Sequence, residues 1–139
     1  MPITFYPKQG MVLVCDFNTG FRPPEMVKCR PVVIVSPSLQ GRSDLCTIVP
    51  LSTTRPAPVL SHHHLLTDAS LPRQWHGREN WAKCDMVTAV ALKRLDRIRI
   101  REQGQRIYTV FCVSSADLEA IHRGILCSLG LQRLINSSS

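Results

Sequence analysis

The pattern of apolar and polar positions is clearest between residues 28 and 54, where two apolar runs flank a polar loop. The first run, Val-Val-Ile-Val at 32–35, has four successive β-branched residues, which is typical of a strand covered on both faces. The second run covers 45–51. The loop at 36–44 carries Pro, Gly and Ser, which favour turns, so the segment predicts two buried antiparallel strands.

Polar side chains stand at the ends of these two predicted strands. Arg30 begins the first strand, and Ser52, Thr53 and Thr54 close the second. In an antiparallel pair, the start of one strand and the end of the next lie at the same edge of the sheet. We therefore expect Arg30 and Ser52 to be neighbours in space.

Other segments of the chain also have the period of a strand. They are 10–17, 80–90, 95–101 and 107–113. Within 95–101 the isoleucines face one way and the arginines the other. Such an arginine row is usually a solvated outer face, and the alternative is that it tracks a phosphate backbone. The arginines are Arg97, Arg99 and Arg101.

The pattern changes to a helical period after residue 113. Ser114 or Ser115 suits the N-cap of a helix at 116–129, with Asp117 and Glu119 in the first turn, where the helix dipole favours negative charge. Gly130 is expected to end it. The apolar stripe expected to face the sheet is Leu118, Ile121, Ile125 and Leu129.

Several strands followed by one helix predict a mainly β (α+β) fold, a small twisted antiparallel sheet closing towards a barrel. The length of 139 residues suits a single domain. We expect a lead-in at 1–9, the C-terminal helix at 115–130 and a flexible tail at 131–139.

Composition narrows the class of protein. No segment has the roughly 20 apolar residues of a membrane span, and the N-terminus lacks a secretory pattern, so we expect a cytoplasmic protein. The six cysteines form no C-x-x-C pair, which suits buried free thiols in a reducing compartment. The net charge of +7 favours a polyanionic partner.

Three adjacent histidines, His62, His63 and His64, raise the question of a metal. In a strand, neighbouring side chains point to opposite faces, so three consecutive histidines cannot converge on one ion. His62 and His64 would share a face, but two ligands make a weak site. The run is interpreted as a strand with half-buried imidazoles, and no metal or cofactor is expected.

Two further segments carry candidate chemistry. The loop at 18–25 contains Phe21 and Arg22. One interpretation is that Phe21 stacks on a base and Arg22 binds a phosphate. The alternative is that Phe21 plugs the sheet end and Arg22 is solvated. In the strand predicted at 80–90, Lys83 and Asp85 fall on the same face. They form either an inert ion pair, which is the commoner case, or a reaction site.

The chain from Gly10 to about Leu129 resembles the MazF/PemK/Kid family of bacterial toxins, most strongly over the stretch 10–54. The resemblance rests on a Gly-led strand ending in Asp16-Phe17, on Glu25 five residues before Arg30-Pro31, and on the run Ile-Val-Pro-Leu-Ser-Thr at 48–53. The stretch 83–85, Lys-Cys-Asp, is similar to the Arg-Cys-Asp of the PemK/Kid branch.

This resemblance implies an SH3-like barrel that forms a homodimer, cleaves single-stranded RNA without a metal and is neutralised by a small acidic antitoxin. The catalytic residues it implies are Arg30, Ser52 (or Thr53), Lys83, Asp85 and Glu25, with either carboxylate as the base. Residues expected to contact RNA are Phe21, Arg22, Lys28, Thr53, Thr54 and Arg55.

The competing class is a non-catalytic binding protein of the same fold, either a CcdB-like topoisomerase poison or an inactive RNA-binding barrel. In the CcdB-like group the C-terminal helix ends in a tryptophan-bearing tail, whereas here Trp75 and Trp81 lie far upstream. A third interpretation, a metal-dependent hydrolase that uses His62 and His64, would require sensitivity to chelators.

Overall fold

A computed structural model describes residues 2–38 and 44–135. The expected loop at 36–44 and the flexible tail at 131–139 therefore fall partly outside the described residues. The elements are β1 Met11–Asp16, β2 Cys29–Ile34, β3 Leu45–Ser52, β4 His63–Leu65, β5 Trp81–Lys83, β6 Thr88–Ala91, β7 Leu95–Asp96, β8 Ile98–Glu102, β9 Gln105–Thr109, β10 Phe111–Cys112 and α1 Ser115–Ser128. Short 3-10 turns occur at Asp68–Ser70, Arg73–Trp75, Cys84–Met86, Leu92–Arg94 and Gln132–Leu134.

Among the described residues, eight strands form one antiparallel sheet and β8–β9 form a separate hairpin. The order along the main sheet is β10-β1-β2-β3-β5-β4. Two strands have three partners each, because β7 also pairs with β1 and β6 also pairs with β3. The sheet therefore branches at β1 and at β3. The predicted mainly β class with a C-terminal helix is confirmed.

The central strands are buried on both faces. Val33, Val49 and Leu51 pack on the side of α1, where they meet Ile121. The alternate residues of the same strands, among them Ile34, pack into a second apolar cluster on the other side. Each fully buried aliphatic side chain contributes roughly 1.5–3 kcal/mol, so a β-branched run covered on both faces anchors the sheet.

The helix α1 is close to its prediction at both ends. Ser114 is the N-cap, and its side chain accepts a hydrogen bond from the backbone N–H of Asp117. Gly130 follows the helix with a φ of +73°, a conformation that glycine adopts without strain. One residue of the predicted stripe is wrong, because Leu129 is 60% exposed. Part of the predicted tail is also ordered, as a 3-10 turn at Gln132–Leu134.

Three predicted strands are interrupted. The segment 80–90 forms β5 and β6 with a 3-10 turn between them, 95–101 divides into β7 and β8, and 107–113 divides into β9 and β10. The β8 and β9 hairpin separates from the main sheet at these breaks. The predicted alternation in 95–101 is confirmed, since Ile98 is buried while Arg97, Arg99 and Arg101 are exposed.

The cysteines only partly match the expectation of buried thiols. All six are free, and Cys15, Cys46 and Cys84 are buried, but Cys29 and Cys112 are exposed. Burial raises the pKa of Cys15 and Cys84 to about 12, so these two thiols stay protonated at neutral pH. Within the described residues, none of the helices has the length and apolar character needed to cross a membrane.

Candidate functional site at the edge of the sheet

Arg30, Ser52 and Lys83 lie on one face of three adjacent strands. Arg30 and Ser52 each stand two residues beyond Val32↔Pro50, the last pair of the β2–β3 ladder, so the register carries both to the same face and the same end. Ser52 is itself paired with the first residue of β5, and Lys83 is the last residue of that three-residue strand. We call these three half-buried side chains the edge residues.

The first two edge residues have local hydrogen bonds. Arg30 donates from Nε to the carbonyl of Val27 at 3.4 Å, and within the described residues this is the only hydrogen bond of its guanidinium. Both terminal amino groups therefore remain available to an anion. The Ser52 hydroxyl accepts the backbone N–H of Thr54 at 3.1 Å, which closes a turn directly after β3.

The residues after Ser52 form an exposed rim. Thr53 and Thr54 are exposed, and the Arg55 guanidinium lies 5.7 Å from the centre of the Trp81 ring. Arg55 is also 4.0 Å from the Glu79 carboxylate, a distance at which an exposed pair adds little stability. We call Thr53, Thr54 and Arg55 the exposed rim, which lies next to the edge residues on the solvent side.

The predicted relation between Lys83 and Asp85 is wrong in detail. Lys83 ends β5, whereas Asp85 lies in the 3-10 turn Cys84–Met86, so strand alternation does not relate the two side chains. Among the described residues, Asp85 contacts His62, with 3.5 Å between Nε2 and Oδ2. Asp85 is exposed and lies next to the edge residues instead of among them.

The loop between β1 and β2 is held by its own acidic residue. The Glu25 carboxylate accepts the backbone N–H of Arg22 at 2.8 Å, and the Glu25 N–H donates to the Arg22 carbonyl at 2.7 Å. Lys28 ends the loop with a φ of +72° and its carbonyl accepts the N–H of Phe17. The side chains of Arg22 and Lys28 are both exposed.

Phe21 packs against the sheet end. Its ring meets Phe17 edge to face at 5.0 Å, and the Arg94 guanidinium lies 4.9 Å from its centre. The half-buried ring extends the second apolar cluster. Of the two alternatives for Phe21, the plug at the sheet end matches this packing.

An open cleft of about 360 Å³ joins this loop to the turn after β5. Glu25 and Asp85, the two candidate bases, both line it, together with Phe21. The edge residues do not belong to this lining. The structure thus groups the predicted site residues into two adjoining sets, a basic and hydroxyl-bearing edge and an acidic cleft.

The histidine run does not behave as a regular strand. His62 lies in the turn before β4, so its ring comes to the same side as His63, with 4.3 Å between the ring centres. His64 points the other way, and its Nε2 lies 2.8 Å from the Asp117 carboxylate. The prediction that His62 and His64 share a face is therefore wrong.

Asp117 has a structural role that the sequence did not indicate. Its side chain is 2% exposed and accepts hydrogen bonds from the Thr67 and Ser70 hydroxyls and from the Thr67 backbone, besides its contact with His64. Burial alone would raise the pKa of Asp117, but the hydrogen bonds from Ser70, His64 and Thr67 outweigh it and lower that pKa. The carboxylate fixes β4 and the following turn to the start of α1.

A family model matches residues 8–129, nearly the whole chain, and describes a PemK-like, MazF-like toxin of type II toxin-antitoxin systems. The chain belongs to this family. A relative in Escherichia coli K12, the putative uncharacterized protein YifN, is 32% identical, and the alignment covers 98% of this chain and 100% of YifN. A Haemophilus influenzae protein is 29% identical over 73% of this chain and 76% of its own length.

Solved structures of similar fold include MazF of Deinococcus radiodurans, with a TM-score of 0.65, 15% identity and coverage of 91% of this chain and 98% of that chain. An endoribonuclease from a mycobacterial species has a TM-score of 0.61, 19% identity and coverage of 91% and 94%. A mycobacterial endoribonuclease in complex with its cognate antitoxin has a TM-score of 0.59, 20% identity and coverage of 90% and 96%. At these identities the likeness concerns the fold, which is that of the MazF-like toxins.

Proposed function

We propose that this PemK-like, MazF-like toxin is a sequence-specific endoribonuclease that cleaves single-stranded mRNA without a metal ion and thereby inhibits translation and growth. The observation that carries the proposal is the common face of Arg30, Ser52 and Lys83 beside a cleft lined by two carboxylates. The endoribonuclease activity named for proteins of this fold supports the same conclusion.

The reaction needs a base, an anion-stabilising group and an acid. Asp85, or alternatively Glu25, takes the proton of a ribose 2′-OH as the 2′ oxygen attacks phosphorus. Arg30 places its planar guanidinium on the phosphoryl oxygens, where negative charge grows. The bond from phosphorus to the 5′ oxygen then breaks, that oxygen takes a proton from water, and the carboxylic acid formed by the base returns its proton to solvent. The products are a 2′,3′-cyclic phosphate and a free 5′-OH.

The remaining edge residues assist at the phosphate. Lys83 supplies a second positive charge on the same face, and the Ser52 hydroxyl, which already accepts a backbone N–H, has its own proton free to donate to a phosphate oxygen. Thr53 is the alternative hydroxyl. DNA resists cleavage because it lacks the attacking 2′-OH.

The RNA strand runs over the exposed rim around these groups. Its proposed contacts are Phe21, Arg22, Lys28, Thr53, Thr54 and Arg55. Five of them are exposed, and Phe21 contributes only the part of its ring that faces the cleft. Cationic and hydroxyl side chains bind the backbone, and this contribution weakens as salt rises.

The partner that controls the toxin is proposed to be a small acidic antitoxin. The net charge of +7 favours an acidic segment over the same basic rim, and one protein of this fold is described in complex with its cognate antitoxin. A homodimer is part of the same proposal.

Cleavage by three purified variants tests the activity. Wild-type, Arg30→Ala and Arg30→Lys proteins are incubated with a long RNA in EDTA, and cut sites and end groups are mapped. Removing a donor to the developing charge lowers the rate by about 10²–10³, so the cleavage rate of Arg30→Ala should fall at least about 100-fold. Arg30→Lys should have an intermediate rate, because lysine keeps the positive charge but lacks the planar pair of donors of the guanidinium. Arg123→Ala, an exposed arginine on α1, is the matched control and should stay close to wild type.

Circular dichroism of each variant separates chemistry from folding. A folded Arg30→Ala protein that cleaves at the wild-type rate would contradict the role of Arg30. A folded wild type that binds RNA without cutting it would support the non-catalytic binding protein instead.

A further inference from the structure

Two imidazoles and one carboxylate converge beside the acidic cleft. The Nε2 atom of His62 lies 3.5 Å from Oδ2 of Asp85, and one ligand atom each from His62, His63 and Asp85 all lie within 4.8 Å of one another. We propose that these three side chains bind a divalent transition-metal ion of the zinc class, and that the bound ion inhibits RNA cleavage. The inhibition rests on the proposed function, whereas the binding does not.

The spacing suits coordination better than direct pairing. Zinc bonds to nitrogen and oxygen of ~2.0–2.2 Å in a tetrahedral site place the ligand atoms ~3.4 Å apart. The His62 to Asp85 distance of 3.5 Å matches such an edge and is long for a hydrogen bond. Only His63 has to approach, and its ring centre already lies 4.3 Å from that of His62.

The ligand set selects the type of ion. Imidazole nitrogen favours zinc, cobalt, nickel and copper, whereas magnesium and calcium prefer sites made of oxygen atoms. Three protein ligands leave a fourth position for water or a phosphate oxygen. We therefore expect zinc and cobalt to bind, and magnesium to compete poorly.

The existing hydrogen bond of His63 decides which of its two ring nitrogens can coordinate an ion. The Nδ1 atom of His63 accepts the backbone N–H of Leu60 at 3.0 Å, so coordination through Nε2 requires the ring proton to move to Nδ1. Leu60 is 48% exposed, and water can then satisfy its N–H.

The local charges limit the affinity. Lys83 is paired with His63 across β4 and β5 and repels a cation, while the Asp85 carboxylate attracts it. An ion held here would occupy the carboxylate that the proposed reaction uses as its base. The site is thus inhibitory, in contrast to a metal-dependent hydrolase.

Binding is tested first, without RNA. EDTA-treated, dialysed full-length protein is titrated with Co²⁺ and followed by visible absorption, and Zn²⁺ or Mg²⁺ is then added as competitor. We expect one Co²⁺ per chain with a tetrahedral spectrum, displaced by Zn²⁺ and retained in Mg²⁺. The variants His62→Gln, His63→Gln and Asp85→Asn should each weaken binding by more than about tenfold. His76→Gln, an exposed histidine held by backbone carbonyls, is the matched control.

Absence of Co²⁺ binding, or binding that survives all three substitutions, would overturn the site. Inhibition is tested by adding Zn²⁺ to the cleavage assay, where His63→Gln should need at least about tenfold more Zn²⁺ than wild type. Zn²⁺ that stimulates EDTA-treated protein would overturn the inhibitory role. A protein that binds Co²⁺ as expected but cuts no RNA under any condition would count against the proposed function alone.

Discussion

At the scale of single residues, Asp117 is a buried carboxylate that connects β4 and the following turn to α1. Three side chains, from Thr67, Ser70 and His64, converge on a carboxylate that is 2% exposed. A buried carboxylate is tolerated only when hydrogen bonds replace the water it has lost. Asp117 therefore ties the histidine run to the start of α1, in addition to the pairing of β4 with β5.

Asp117→Asn should destabilise the protein by about 3 kcal/mol. The amide N–H groups of asparagine are donors, and they would face the Thr67 and Ser70 hydroxyls, which themselves donate to the carboxylate in the wild type. Urea denaturation at pH 7 measures the loss. Asp68→Asn is the matched control: Asp68 is exposed, and its free energy of unfolding should change little. Equal losses in the two variants would contradict the role of Asp117.

The same carboxylate predicts a pH dependence. The folded-state pKa of Asp117 lies below its usual value of 3.8, so its ionised form stabilises the fold above that value. This stabilisation is lost as the pH falls through the folded pKa. Unfolding measured between pH 7 and pH 2 should show the gap between wild type and Asp117→Asn narrowing only below about pH 4. A gap that is unchanged at pH 2 would contradict the assignment.

The hydrogen-bond partners of Asp117 illustrate what a sequence does not show at this scale. They lie 47, 50 and 53 residues away along the chain, so no local pattern relates them. The residues with local signals were predictable, among them the N-cap Ser114 and the glycine that follows α1. Arg30 and Ser52 were also predictable, because strand order and register placed them.

At the scale of elements, the contact of α1 with the turn Cys84–Met86 supports the acidic cleft. Gly124 makes the close approach possible, since a Cβ there would lie 2.6 Å from the Cys84 sulfur and 3.3 Å from the His62 carbonyl. The helix therefore packs directly under the two segments that carry Asp85 and the histidines.

Gly124→Ala tests this contact through the sign of its effect. Helix propensity alone would stabilise α1 by about 1 kcal/mol. Overpacking costs about 1–3 kcal/mol, and the backbone atom at 3.3 Å cannot move as a side chain does, so we expect a net loss. Thermal and urea unfolding measure it, with the neighbouring exposed Arg123→Ala as control, where only an i,i+4 pair is lost. A stabilised Gly124→Ala protein would contradict the close packing.

Element boundaries were predictable where the signal was local. The helix ends lie within two residues of their prediction, because caps and period belong to the element itself. The strand predicted at 80–90 breaks after Lys83, where the Cys84 N–H donates to the His62 carbonyl. That interruption depends on a distant segment, and alternation along eleven residues could not reveal it.

At the scale of the whole molecule, the family and the fold were predictable from short motifs, because those motifs lie on successive strands of the sheet. The division of the site into an edge and a cleft was not, because it depends on how the β1–β2 loop meets the turn after β5. The convergence of His62 and His63 on one side was not predictable for a similar reason: His62 stands just outside β4, where alternation no longer applies.

The homodimer stays a prediction. Light scattering coupled to size-exclusion chromatography should give twice the 15.6 kDa mass of one chain. The measurement should be made on the toxin alone, at micromolar concentration and in moderate salt, because a basic protein adsorbs to acidic contaminants. A stable 15.6 kDa species under these conditions would contradict the dimer and restrict the RNA site to one chain.

In the proposed reaction, a ribose 2′-OH attacks the phosphate at this edge of the sheet. The direct measurement uses a short RNA with one mapped cut site, synthesised with a single 2′-deoxy nucleotide on the 5′ side of the scissile phosphate and incubated with the toxin in EDTA. We predict that this substrate stays intact, while the same RNA with the 2′-deoxy nucleotide two positions away is cut at the usual bond. Cleavage of the first substrate at that bond would contradict the mechanism.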